Sequence, residues 1–137
     1  MKNLLLSVFL CLAMSFSFAQ NDSKTKMTEK TLIKKNTVKA VNFLTKNLQL
    51  DSKQKAIFMN AYSEYANSIA KGSAKMEKIG SPTMASKKQM QEYVLRFTEK
   101  RNKVIMTCLK KKQVKKFSEL QKQIHPITLE LRPDRKK

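Results

Sequence analysis

Few side chains in this sequence could make or break bonds. His125 is the single histidine, and Cys108 is the single cysteine apart from Cys11 near the start. A hydrolytic triad needs an imidazole oriented by an acid, and a structural zinc site needs about four Cys or His ligands. The acids Glu64, Glu77, Glu92, Glu99, Glu119 and Glu130 are scattered over helix-surface positions within reach of lysines. Gly72 and Gly80 are the only glycines, so no Gly-rich loop can cradle a phosphate. The expectation is a protein that is not an enzyme and uses no cofactor and no metal. Cys108, inside the apolar run Val104–Leu109, reads as a small buried hydrophobe, with an intermolecular disulfide as the alternative.

The abundant chemistry is positive charge. The chain holds 29 Lys+Arg against 10 Asp+Glu, a formal net charge of +19. Its opening residues say where that charge would act. Lys2 precedes an apolar run from Leu4 to Met14, and Ser17 and Ala19 stand three and one residues before a cut ahead of Gln20. That layout predicts a secretory signal peptide over residues 1–19, cleaved on export to the periplasm or beyond. Cleavage removes one lysine and no acid, leaving +18. Outside the inner membrane the anions within reach are lipid headgroups, envelope polymers and acidic stretches of proteins, not nucleic acid.

The elements that must carry this charge are helical. Three prolines and two glycines supply too few corners for hairpins and sheets. Residues 20–27 are polar and predicted to be flexible. Apolar residues at steps of three and four then predict four long amphipathic helices, an all-α fold. The first, from Thr28 to Leu48, has the face Ile33, Thr37, Ala40, Val41, Leu44 and Leu48. The second, from Ser52 to Ile79, has Phe58, Tyr62, Tyr65, Ile69, Met76 and Ile79, with Gly72 as a place for a bend. Gly80, Ser81 and Pro82 punctuate the chain, with Gly80 left-handed, Ser81 as cap and Pro82 as first helical residue. The third helix, to Met106, has Met90, Val94, Phe97 and Val104 on its face and Arg101 in the middle of it as a buried or interfacial charge. The fourth, Lys110 to Gln123, has Val114, Phe117, Leu120 and Ile124. His125-Pro126 ends it. The helical domain is thus residues 28–125, followed by a basic arm over 126–137. A thin core on the 118 residues left after cleavage (137 − 19) favours dimerisation.

One local pattern recurs. Leu50-Asp51-Ser52-Lys53-Gln54 opens the second helix, and Leu109-Lys110-Lys111-Lys112-Gln113 opens the fourth, with the two glutamines 59 residues apart. An aromatic, Phe58 or Phe117, follows each Gln by four residues. In the first copy Asp51 can cap the helix while Gln54 reaches back to the cap's amide, a capping box. In the second, Lys110 cannot cap. Either Thr107 does so, or the third and fourth helices join through a kink.

The pair of motifs, Leu50/Asp51/Gln54 and Leu109/Gln113, resembles the Leu-Thr-x-x-Gln family of small envelope proteins, the Spy and CpxP group, over roughly Thr28 to Ile124. The resemblance implies a thin, curved, dimeric arrangement of helical hairpins. It also implies an ATP-independent chaperone or envelope-stress protein whose partners are unfolded or partly folded envelope proteins. Phe58, Tyr62, Met76, Met90, Phe97 and Arg101 are the candidate client surface, since methionines and aromatics suit adaptable binding. The alternatives are a basic protein that binds anionic envelope polymers or lipids, and a regulator that docks on a membrane sensor kinase.

Overall fold

A computed structural model describes residues 28–133 of the chain. The predicted signal peptide, the polar segment 20–27 and residues 134–137 lie outside the described residues. Among the described residues four α-helices form: α1 (Thr28–Leu48), α2 (Ser52–Glu77), α3 (Met84–Met106) and α4 (Lys111–Leu120). A single 3₁₀ turn, Gln121–Gln123, continues α4. The protein is all-α. The described residues from Ile33 to Pro133 belong to one compact unit.

The predicted face of α1 is the buried one from Thr37 to Leu48, and Ala40, Val41 and Leu44 are fully enclosed. Gln49 then turns left-handed (φ 53°), and the Leu50 N–H reaches back to the Thr45 carbonyl at 3.1 Å, closing the helix. Asp51 caps α2 as expected: its Oδ1 accepts the Gln54 N–H at 2.8 Å, and Gln54 Oε1 accepts the Asp51 N–H at 3.1 Å. Phe58, Tyr62, Tyr65 and Ile69 line the core side of α2, while Ile79 lies beyond the helix end and is exposed.

Gly80 adopts φ 81°, as its place after a helix predicts. The start of α3 falls later than Ser81. Thr83 is the cap, its Oγ1 accepting the Ser86 N–H at 3.1 Å, and Met84 is the first helical residue. Two hydroxyls compete for one role there, and Thr83 wins. Helix α3 packs antiparallel to α2, because Gln54 bonds to Cys108, Tyr62 meets Arg101, and Ser68 bonds to Tyr93. Gly72 permits this approach: a Cβ there would stand 2.6 Å from the Tyr93 ring. The core edge of α3 is Arg101 and Ile105, one position on from the predicted Val104, which is exposed.

Thr107 closes α3 rather than capping α4, and Lys110 occupies the cap position with extended backbone. Helices three and four are therefore separated by a true break. The fourth is short, 10 residues, and depends on packing through Phe117 and Leu120.

From Pro126 to Arg132 the chain is no free arm, and the rest of the predicted arm, 134–137, lies outside the described residues. The His125 N–H donates to the Glu130 carbonyl at 2.8 Å, and Ile124 pairs with Leu131 in an antiparallel bridge. Leu129, at φ 58°, buries its side chain in the core. The Asn36 amide donates to the Thr128 carbonyl at 3.0 Å, and the Tyr65 hydroxyl donates to the Pro126 carbonyl. Burying Leu129 offsets the cost of its left-handed backbone, so residues 124–132 form a hook clamped to α1 and α2.

Candidate functional site

The two motif copies meet. Gln54 Nε2 donates to the Cys108 carbonyl at 2.8 Å and to Gln113 Oε1 at 2.9 Å. Gln113 Nε2 donates to the Leu48 carbonyl at 3.0 Å and to Gln54 Oε1 at 3.4 Å. Each glutamine also accepts the amide of its own cap residue, Asp51 at 3.1 Å and Lys110 at 3.0 Å. The result is a nearly symmetric lock in which one amide opens its own helix and satisfies a backbone carbonyl that closes the other approach. Lys110 has no acceptor to complete a box, so α4 keeps only the half that Gln113 supplies. Leu50 and Leu109 are half-buried against the core beside the lock. All five motif positions thus converge, and their role is structural: they hold the starts of α2 and α4 together.

The candidate client residues do not share one surface. Phe58 and Tyr62 are fully buried, and Phe58 stacks on Tyr62 while meeting Phe117 edge-on. Arg101 is 8% exposed, with its guanidinium carbon 4.6 Å from the centroids of both the Tyr62 and Tyr65 rings. Its Nε and Nη2 donate to Asn102 Oδ1, and Nη2 also donates to Gln121 Oε1. These three belong to the core and are not an open surface. An apolar stripe tells which side of a helix is sticky, but the part that stays uncovered depends on what packs against it.

Met76 and Met90 are half-exposed, and the structure does bring them together. With Val94, Leu95 and Ile127 they line a groove of about 640 Å³ between the C-terminal half of α2, the N-terminal half of α3 and the hook. Leu95 is 59% exposed and Ile127 39%. Phe97 lies outside this groove, half-buried against Tyr93 with ring centroids 4.6 Å apart. Sequence reasoning missed Leu95 and Ile127. The signal for Leu95 was an apolar residue off the helix's core face. None marked Ile127, because its place depends on the hook.

Tyr62 carries a testable electrostatic signature. Its hydroxyl has no hydrogen-bond partner, and burial pushes it up to about 12, against the lowering pull of Arg101. The folded state therefore holds this proton more tightly than the unfolded chain. Stability is unaffected below the ordinary tyrosine value near 10, then falls by about 1.4 kcal/mol per pH unit as pH rises toward the folded value. Tyr62→Phe removes both the slope and the unpaired hydroxyl, leaving neutral-pH stability equal or up to about 1 kcal/mol higher. Urea midpoints of the two proteins near neutral pH and near about pH 11 check this. An equal alkaline loss in both would show that Tyr62 does not titrate as its burial requires. Burial likewise raises the Cys108 thiol above its ordinary value, keeping it in the thiol form.

Among the described residues no three His, Cys, Asp or Glu side chains gather as a metal site, and no helix is long and apolar enough to cross a membrane. No protein-family model, no curated protein and no solved structure matches the chain.

Proposed function

We propose that this protein is an ATP-independent chaperone of the cell envelope, binding apolar segments of non-native proteins in the groove lined by Met76, Met90, Val94, Leu95 and Ile127. The observation that carries the reading is the groove itself: open, apolar and methionine-containing on a chain of formal charge +19. Methionine side chains are unbranched and polarizable, so they fit many client shapes at small cost. The groove itself carries one lysine, Lys87, and one acid, Glu77, so it is the surplus positive charge of the whole chain that draws in acidic or partly acidic clients, and the apolar contact that holds them. The volume suits a few side chains rather than a folded domain. The paired glutamine motif supports the same reading through its resemblance to the Leu-Thr-x-x-Gln envelope group.

A second reading rests on α4, which exposes Lys111, Lys112, Lys115 and Lys116 on one short helix. Such a face would hold anionic envelope polymers by charge alone. Light scattering of a reduced, aggregating client, without ATP and at low and high salt, separates the two. The chaperone reading expects suppression that survives high salt and is lost in Leu95→Asp combined with Ile127→Asp, two exposed positions where the fold tolerates charge. Suppression that vanishes with salt and ignores both substitutions would favour the lysine face.

A further inference from the structure

A second cavity, of about 340 Å³, lies where α3, the 3₁₀ turn and the hook meet. Arg101, Lys122, His125 and Arg132 line it together with Tyr65 and Gln121, and no Asp or Glu among the described residues does. We propose that it is a binding site for a phosphate-class oxyanion, either free or as a phosphomonoester headgroup.

The argument starts from Arg101. A buried guanidinium without a carboxylate is costly, and two tyrosine faces and two neutral amides offset only part of that cost. Nη1 makes no hydrogen bond among the described residues and is not sealed from open space, so it remains able to donate. Glu64 borders the smaller cavity of about 110 Å³ that Arg101 also lines, but it does not line this one.

The other donors are placed by the hook. His125 Nδ1 accepts the Ile127 N–H at 3.2 Å and the Thr128 N–H at 3.1 Å, so the ring proton sits on Nε2, which is left as a donor. The Arg132 N–H donates to the Gln123 carbonyl at 2.7 Å, anchoring its backbone at the cavity beside the Ile124–Leu131 bridge. Arginine forks match the paired oxygens of a phosphate, and a concave wall of like charge concentrates the field on such an anion. The site adjoins the client groove, sharing Thr98 and Pro126 with it, but none of its four cationic residues lines that groove, and it does not depend on the chaperone reading.

The test is calorimetric titration of pyrophosphate, and separately of inorganic phosphate, into the full chain. The expected result is saturable binding of one equivalent, weakened about ten-fold or more in Arg132→Gln and in Lys122→Gln. Lys112→Gln with Lys116→Gln on α4 should change it by less than about two-fold. Both cavity positions are exposed, so their variants should fold, and thermal melting followed by circular dichroism verifies it. Co-sedimentation with vesicles containing phosphatidic acid, with and without excess pyrophosphate, tells a headgroup from a free anion. Displacement by pyrophosphate assigns the headgroup to the cavity, and binding of soluble phosphate without vesicle binding assigns the free anion. No saturable binding, or vesicle binding that ignores both pyrophosphate and Arg132→Gln, would overturn the proposal.

Discussion

Replacing Phe117 with alanine should lower the unfolding free energy by about 3–5 kcal/mol, the range for deleting an enclosed aromatic ring. Phe117 is completely buried and meets the Phe58 ring at 5.7 Å and 83°, an edge-to-face contact that contributes beyond area alone. Besides this ring, Leu120 and the Gln113 end of the glutamine lock fasten α4. Ten residues are too few for a helix to persist in water by itself, and its cap position, Lys110, offers no side-chain acceptor. Against a typical total of about 5–15 kcal/mol, the loss would leave the chain marginal. Urea denaturation followed by helical circular dichroism measures it, with Leu120→Ala as a smaller change on the same face. A cost below about 1 kcal/mol would mean that α4 does not dock on α2 through this ring.

Gln54→Ala should cost about 2–4 kcal/mol, a large effect for a polar residue. The substitution leaves the Cys108 carbonyl and Gln113 Oε1 without the donors at 2.8 and 2.9 Å, and the Asp51 N–H without its acceptor at 3.1 Å. Gln54 is only 6% exposed, so water replaces few of these bonds. Because Gln113 shares the network, Gln113→Ala added to Gln54→Ala should cost less than the two separate losses by about 1–3 kcal/mol. Gln54→Glu is the sharper control. It keeps an acceptor for the Asp51 N–H but has no N–H to give, and it brings a carboxylate near Asp51. It should therefore destabilise as much as alanine. Strict additivity of the two alanine changes would show that the glutamines act separately, as two unrelated caps.

The lock explains why the motif occurs twice. A single Leu-x-x-x-Gln can be read as the start of one helix, and for Asp51 and Gln54 that local reading holds atom for atom. The spacing of 59 residues between the glutamines has meaning only after α2 and α3 run antiparallel and return the chain to the same place.

The sequence by itself determined the local matters: the all-α class, the four helical segments, the buried faces of α1 and of α2 as far as Ile69, the Asp51 cap and the left-handed Gly80. Each follows from forces acting within one or two helical turns, namely side-chain periodicity, an oxygen near a free N–H, and a residue without Cβ where φ is positive. Tertiary structure decided the rest. Thr83 prevailed over Ser81 as the cap of α3, and Ile105 over Val104 through packing that no neighbour in sequence reveals. Phe58 and Tyr62 became core while Met76 and Met90 stayed open, because the other helices cover only part of the α2–α3 pair. The tail, basic and short, became a hook around Leu129 because distant partners, Asn36 and Tyr65, donate to its backbone carbonyls. Its closing also brought Arg132 and His125 to Arg101. Contacts between residues far apart in the chain cost entropy that only the assembled core offsets, and a linear pattern does not display that balance.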